Sequence, residues 1–295
     1  MTTSTSEPVT YAYAVARAHP DLARTLAGLA GVAGAPVHLI AEGEGDDGTD
    51  IVLVVSPVPA ADFREEGLRR HLEDLDWLEA VARAHHATVE EVTALTPALP
   101  LRLATVYVDD GSARDMLRSA VRLFAERLDH LAGQVEWGVK IYVEATAPTA
   151  PPAAQSTASA DMTPGRAYLS ARRRQRGDRE AVYRAAQEAA ERVADVARAY
   201  ATDRAAHRPQ QGALAGDAGE NVFNDAFLVP RERGEAFREK ASRAGHGLEG
   251  VRVEVTGPWA PYSFAMPQDA PDGMNRTDDG EGAGGTDGTA RDGAP

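Results

Sequence analysis

The sequence predicts an α+β fold in which a sheet carries helices on one face, and three observations lead to this class. Short runs rich in Val, Ile and Leu recur along the 295 residues and are typical of strands. Between them lie longer stretches with an apolar residue every three or four positions, which predict amphipathic helices. The two kinds of element alternate in mixed order with long connections between strands, as in α+β layers. The length favours two domains.

Local patterns support each assignment in the first half. The run IVLVV at 51–55 is continuous and β-branched, as expected for a strand covered on both faces. The helix that follows Ser112 has the clearest apolar stripe in the chain. We expect Ser112 to cap it, Asp115 to complete the capping box and Gly133 to end it. In chain order we predict a strand at 9–17, a helix at 21–29, strands at 37–41 and 51–55, one helix or two at 63–95, and a strand at 101–108.

The second half begins with a strict alternation of apolar and polar residues at 135–143, which predicts a strand. We then predict a Pro/Ala-rich loop at 145–160, a long helix at 164–207, a strand at 221–229, a helix at 232–244 and a strand at 251–255. A split-βαβ, or ferredoxin-like, arrangement fits both halves. The predicted organisation is a disordered start at 1–8, an N-terminal domain at 9–132, a C-terminal domain at 133–265, and a disordered acidic, Gly-rich tail at 266–295.

Composition excludes several classes of function. The absence of cysteine excludes disulfides, thiolate metal sites and a cysteine nucleophile. No apolar run approaches the roughly 18 residues that span a bilayer, and no secretory signal begins the chain, so we expect a cytoplasmic protein without a membrane span. The net charge of −14 argues against a nucleic-acid partner. Much of the negative charge lies in residues 42–50 and 271–295.

No catalytic motif is evident. The chain has no phosphate-binding glycine loop, no dinucleotide fingerprint, no zinc-protease motif and no nucleophile elbow. We therefore assign no catalytic residue, no metal ligand and no cofactor.

Two polar clusters lie on the helix predicted at 63–95. His86 lies four residues before Glu90, a spacing that allows a metal pair but more simply gives an i,i+4 contact on an exposed face. Glu73, Asp74 and Asp76 could supply paired carboxylates for acid–base chemistry. We favour a structural role in which Asp74 or Asp76 caps the helix, because carboxylates stabilise helix N-termini.

A basic cluster lies near the start of the long helix predicted at 164–207. It comprises Arg172, Arg173, Arg174 and Arg176. Such a cluster could bind phosphate, nucleic acid or an acidic protein surface. The simpler interpretation is a solvated helix face, because no aromatic side chains are interleaved with it.

The segment GPWAPYSF at 257–264 places three aromatic side chains on a backbone stiffened by two prolines. The prolines exclude a central strand. Two interpretations remain: a terminal clasp that closes the core, or a rigid aromatic surface that docks a partner.

This segment resembles the carboxy-terminal GPWPPYSF signature of the GvpL/GvpF family of gas vesicle proteins. Four further stretches resemble the same family in the same order: DLDWLEAVARAH at 74–85, PALPLRLATVY at 97–107, VEWGVKIYVE at 135–144 and NDAFLVP at 224–230. Ala260 departs from the family's more frequent proline, and Leu103-Ala104 departs from its usual Phe-Gly. Together the motifs cover the chain from about residue 9 to 265.

The resemblance implies a non-enzymatic accessory protein that works with gas vesicles in the cytoplasm. It implies binding to the shell protein GvpA and to other accessory proteins early in assembly. It also implies two domains, the second a modified ferredoxin-like fold with helical additions. The candidate interaction residues within the matching motifs are Trp77, Leu78, Arg102, Thr105, Trp137, Gly138, Lys140, Tyr142, Gly257, Pro258, Trp259, Pro261, Tyr262, Ser263 and Phe264.

Two alternative functions stay open at this point. A ligand-sensing regulatory module would contain a closed pocket with convergent polar groups. An enzyme would bring His85, Glu79 and Arg102 together in a cleft. The sequence leaves open whether the protein acts as the L-like or the F-like member, which face binds the shell protein, and the oligomeric state.

Overall fold

A computed structural model describes residues 7–41, 50–144, 164–209 and 219–266. The predictions of disorder at the start of the chain and in the tail therefore lie outside the described residues, apart from residues 7, 8 and 266. The predicted loop at 145–160 and most of the acidic turn at 42–50 also lie outside them.

The first half contains a five-stranded sheet whose neighbouring strands are all antiparallel. The strand order is β2-β3-β1-β4, and β5 also pairs with β1. The strands are β1 (Val9–Arg17), β2 (His38–Ala41), β3 (Ile51–Val58), β4 (Ala98–Pro100) and β5 (Val106–Tyr107).

Helices cover both faces of this sheet. They are α1 (Leu22–Leu26), α2 (Ala60–Phe63), α3 (Glu65–His71), α4 (Leu75–Leu95) and α5 (Asp110–Leu131). Val52 and Val54 of β3 pack in the cluster that contains α4, whereas Leu53 and Val55 pack in the cluster that contains α5. The prediction that helices cover only one face is therefore wrong for this sheet, because the continuous apolar strand β3 buries both of its faces.

The second half contains a four-stranded antiparallel sheet in the order β7-β8-β6-β9. Its strands are β6 (Gln134–Val143), β7 (Asp203–Ala206), β8 (Glu220–Pro230) and β9 (Val251–Trp259), and its helices are α6 (Pro164–Tyr200) and α7 (Gly234–Ser242). Helices α6 and α7 pack on one face. If the strands are numbered from the start of each half, the first four strands have the order 2-3-1-4 in both sheets.

Helix α5 packs between the two sheets. Its residues Leu117 and Phe124 share one buried cluster with Leu53 of the first sheet and with Ala226 and Leu228 of the second. The two halves are therefore joined by a common apolar core.

The region 63–95 forms two helices, α3 and α4, which is one of the two predicted alternatives, and the short α2 ends at Phe63. Two other helix assignments require correction. Asp109, not Ser112, caps α5: its side chain accepts hydrogen bonds from the Ser112 amide at 2.7 Å and from the Ser112 hydroxyl at 2.9 Å. The long helix ends at Tyr200, and residues 203–206 form β7, because pairing with β8 outweighs the helical tendency of this Ala-rich stretch.

Two strand assignments also change. Of the strand predicted at 101–108, only Val106–Tyr107 is a strand, and β4 lies before the predicted range. Between them Ala104 has a φ of 62°, and its amide donates to the Tyr11 hydroxyl at 3.1 Å. The strand predicted at 251–255 continues to Trp259, and it includes Pro258 because β9 is an edge strand of the second sheet.

Candidate interaction site

The segment 257–264 runs from the edge of the second sheet into the core of the first half. Ala260 packs in the cluster that contains β1 and α4, and Phe264 packs in the cluster that contains α5. Phe264 is 6% exposed. These contacts give the segment the position expected of a clasp.

A buried carboxylate holds the far end of this segment. The backbone N–H and the hydroxyl of Ser263 donate to Glu136 at 2.8 and 2.7 Å. His207 Nε2 lies 3.0 Å from the Ser263 hydroxyl oxygen, which accepts from it when its own proton goes to Glu136. Burial raises the pKa of Glu136, and the bonds from Ser263 oppose that shift.

The near end of the segment is shaped by the buried indole of Trp137. Gly257 has a φ of 129°, and a Cβ there would lie 2.8 Å from the Glu136 carbonyl and 3.0 Å from the Trp137 ring. Only glycine fits this combination of backbone angle and contact. Gly234 also lies against the indole, where a Cβ would come within 3.1 Å of Nε1.

Two aromatic side chains of the segment remain at the surface although its backbone is fixed. Trp259 is 41% exposed and Tyr262 is 36% exposed. The His86 ring lies 5.7 Å from the Trp259 ring and 6.3 Å from the Tyr262 ring, and His86 Nε2 is 3.1 Å from Glu90. Burial, and then the Glu90 carboxylate, raise the pKa of Tyr262, which keeps its hydroxyl neutral.

An open cleft of about 400 Å³, here called the junction cleft, lies beside Trp259. The end of α4 forms one wall, with Glu90 and Leu95, and the start of β6 contributes Val135. Arg231 and Trp259 line it from the second half. The cleft therefore combines apolar side chains with neutral polar ones and with one acidic and one basic side chain.

Trp77 and Leu78 lie on the outer side of the first half, and both are half-buried. The Trp77 ring stacks on His71, with ring centroids 4.4 Å apart and planes 9° apart, and contacts Phe63 at 5.3 Å. Asp74 caps α4 by accepting from the Trp77 amide at 3.0 Å, as predicted for this acidic cluster.

The other motif residues have structural contacts. Arg102 is exposed, and its carbonyl accepts from the buried Thr105 hydroxyl at 2.8 Å. Gly138 lies opposite Thr256, and a Cβ there would come within 2.8 Å of the Thr256 hydroxyl oxygen. The remaining two lie on β6 opposite charged residues of β9: Lys140 pairs with Glu254 in register, and Tyr142 lies under the Arg252 guanidinium at 4.3 Å.

The basic cluster lies on the exposed first part of α6. Arg172, Arg173 and Arg176 are exposed, and the side chain of Arg174 lies outside the described part of the structure. Arg176 contacts Glu180 at 3.0 Å.

The residues of the enzymatic alternative are not brought together. His85 is buried and its Nδ1 lies 2.9 Å from the Tyr11 hydroxyl. Glu79 pairs with Arg83 on the exposed face of α4, and Arg102 is exposed on a loop. The His86–Glu90 pair forms the predicted i,i+4 contact.

Neither a metal cluster nor a membrane span occurs among the described residues. In that part of the chain, no group of three or more His, Asp or Glu side chains is placed to hold a metal ion. None of the helices in the same ranges combines the length and apolarity needed to cross a bilayer.

The partners of the terminal segment were not evident from the sequence. Glu136, His207 and His86 all contact it, yet they are distant from it in sequence. The alternation of β6 places Glu136 on the polar face, opposite Trp137, so the pattern indicated exposure. The one feature of the sequence that could have indicated this contact was Glu136 itself, a carboxylate within the strand of the motif at 135–144.

Comparisons with known proteins agree on one family. The sequence profile described as Gas vesicle synthesis protein GvpL/GvpF matches residues 9–266. Gas vesicle protein L from Streptomyces sp. (strain CB03234) is 42% identical over 260 residues, which cover 86% of this chain and 92% of that protein. Gas vesicle protein F from the same strain is 28% identical over 266 residues, covering 86% and 98%.

Solved structures share the fold. The crystal structure of GvpF from Anabaena sp. PCC7120 aligns with a TM-score of 0.58 at 18% identity, covering 88% of this chain and 97% of that chain. GvpF from Microcystis aeruginosa aligns with a TM-score of 0.57 at 18% identity, covering 88% and 99%.

Proposed function

This chain belongs to the GvpL/GvpF family of gas vesicle synthesis proteins and so has an accessory role in gas vesicles, and from that premise we propose that it binds the shell protein GvpA and other accessory proteins during nucleation. In this proposal it works without catalysis, in the cytoplasm and in association with vesicles. It engages shell subunits while their apolar surfaces are exposed, which limits aggregation and seeds ordered growth.

One observation carries the proposal: Trp259 and Tyr262 stay exposed on a backbone that is fixed at both ends. Phe264 anchors one end in the shared core, and Trp137 packs against the other. Rigid aromatic side chains bind partners well because little conformational freedom is lost on association. An exposed apolar surface on a partner is the chemistry that such side chains recognise.

The junction cleft supports a protein segment as the occupant rather than an enclosed small molecule. Both halves line it, and it opens beside the exposed Trp259 ring. The ligand-sensing alternative would favour an enclosed pocket with converging polar groups. The separation of His85, Glu79 and Arg102 supports the non-enzymatic part of the proposal.

We also propose that the second half is the modified ferredoxin-like domain. The element order β6-α6-β7-β8-α7-β9 follows the β-α-β-β-α-β pattern of that arrangement. The helical addition is the exposed first part of the 37-residue α6. The boundary between the two domains at residues 132 and 133 falls at the end of α5, where Gly133 has a φ of 71°.

The test is co-purification of GvpA with tagged full-length protein and with Trp259→Ala. We expect the variant to recover several-fold less GvpA, because it loses the exposed indole while the buried anchors remain. Tyr200→Ala is the control, since it removes a half-exposed aromatic ring of α6 that does not line the junction cleft. Circular dichroism and a melting curve establish that each variant is folded.

Equal recovery of GvpA by folded Trp259→Ala and by the wild type would remove Trp259 from the interface. Failure of the wild type itself to recover GvpA, in the presence of a positive control pair, would overturn the proposed binding to the shell protein.

A further inference from the structure

Two exposed surfaces have no role in the proposed function, and the first is acidic. The acidic corner, defined here as Leu72, Glu73, Asp74, Leu75 and Asp76, lies where α3 meets α4. Leu72 is 63% exposed and Leu75 is 76% exposed. The corner is held rigidly by the Asp74 cap and by the stack of His71 on Trp77. The two leucines are therefore exposed to solvent on a turn whose conformation is fixed by these contacts.

The second surface is basic. The basic arm, defined here as Leu169, Arg172, Arg173 and Arg176, lies on the first part of α6. Apart from the half-buried Ser170, every side chain described between residues 169 and 181 is exposed, and Leu169 is 57% exposed. Most helical stability in proteins comes from tertiary packing, so a partner that covered this exposed part of α6 would stabilise it.

Several charges of these two surfaces have no ion-pair partner among the described residues. Elsewhere on the helices, acids and bases commonly pair at i,i+3 or i,i+4, as Glu79 does with Arg83. By contrast, Glu73 and Asp76 make no ion pair with any described residue, and within the same ranges the side chains of Arg172 and Arg173 make none either. Each surface therefore presents leucine next to unpaired charge, with opposite signs.

We propose that the acidic corner of one copy of this chain binds the basic arm of a second copy. The corner belongs to the first sheet's outer side, whereas the arm extends from the second sheet. No described ion pair joins them within one chain. Charge complementarity and the matching leucines select a second copy as the occupant.

Because the contact joins two different surfaces, two kinds of assembly are possible. Two copies can exchange the contact reciprocally and close a dimer, or each copy can use one contact at either end and extend a chain. Either outcome places at least two copies of the aromatic surface around Trp259 in one assembly.

The test measures self-association of the full-length chain by light scattering and sedimentation across concentration. We expect the wild type to associate at micromolar concentrations in low salt and to dissociate as salt screens the charges. Variant A, Glu73→Lys with Asp76→Lys, and variant B, Arg172→Glu with Arg173→Glu, should each weaken association at least about tenfold.

Mixing the two variants provides the decisive measurement. Variant A has two basic surfaces and variant B has two acidic ones, so a mixture restores attraction and should associate as the wild type does. Glu126→Lys and Arg122→Glu on the exposed face of α5 are matched charge controls and should leave association unchanged.

A wild type that stays monomeric at every concentration would overturn the proposal, as would variants A and B that remain separate when mixed. Both outcomes leave GvpA recovery through Trp259 unaffected, so failure here is distinguishable from failure of the proposed function. Melting curves confirm that variants A and B are folded.

Discussion

Acidification should destabilise this protein through one buried histidine. The Ala104 amide donates to the Tyr11 hydroxyl at 3.1 Å, and that hydroxyl lies 2.9 Å from His85 Nδ1. When Tyr11 donates its proton to Nδ1, that nitrogen carries no proton and the imidazole is neutral. His85 Nε2 has no hydrogen-bond partner among the described residues. Protonation would therefore bury a charge and displace the Tyr11 bond.

The shift in the pKa of His85 determines how much stability is lost on acidification. Burial lowers the pKa of His85 from 6.5 to about 4, with the backbone of Leu101 partly offsetting the shift. Below pH 6.5 the unfolded chain takes up a proton at this position, and the native state does not until about pH 4. The unfolded state thus binds more protons in that window, and stability falls as pH falls. A pKa unit corresponds to about 1.4 kcal/mol, so the loss is about 3 kcal/mol.

Urea unfolding at intervals from pH 7.5 to pH 4 measures this loss. His85→Gln removes the titrating group, so its free energy of unfolding should fall by about 3 kcal/mol less than that of the wild type over the same window. His246→Gln is the control, because His246 is exposed, and its curve should run parallel to the wild type. Parallel curves for His85→Gln and the wild type would refute the reasoning.

Two further predictions concern the terminal segment. Gly257→Ala should lower the free energy of unfolding by at least about 2 kcal/mol, because position 257 combines a positive φ with close contacts to Glu136 and Trp137. Gly177→Ala is the control and should raise the free energy of unfolding by about 0.5–1 kcal/mol, because a Cβ there meets nothing within 4 Å. Thermal or urea melts test the pair, and equal effects would contradict the proposed fit of Gly257. Phe264→Ala should cost about 3–5 kcal/mol because the ring is buried in the shared core, whereas Trp259→Ala should cost less than about 1 kcal/mol. Similar losses in the same melts would show that the two aromatic rings are equally buried.

The strongest local patterns were sufficient to predict individual elements. The alternation at 135–143 became β6, and the apolar stripe after Ser112 became α5. Asp74 or Asp76 was predicted to cap a helix from position and residue type, and Asp74 caps α4. In each of these cases the interactions are local, because the pattern of side chains along one strand or helix defines the surface it buries.

Elements that depend on distant partners were predicted less well. Residues 203–206 have a helical composition, but pairing with β8 makes them a strand. Ala104 interrupts the strand predicted at 101–108 because its amide bonds to Tyr11, a residue far away in sequence. Ser112 was predicted to cap α5, but the backbone path into the helix places Asp109 at the cap.

The sequence by itself determined the family, through GPWAPYSF and the four other motifs, and most of the strands and helices, through their periodicity. The tertiary structure alone decided that α5 lies between the two sheets, that Glu136 is buried against Ser263, and that Trp259 stays exposed while Phe264 is buried. The physical reason is that periodicity reports which side of an element is apolar, whereas burial of a particular side chain depends on which distant element packs against it.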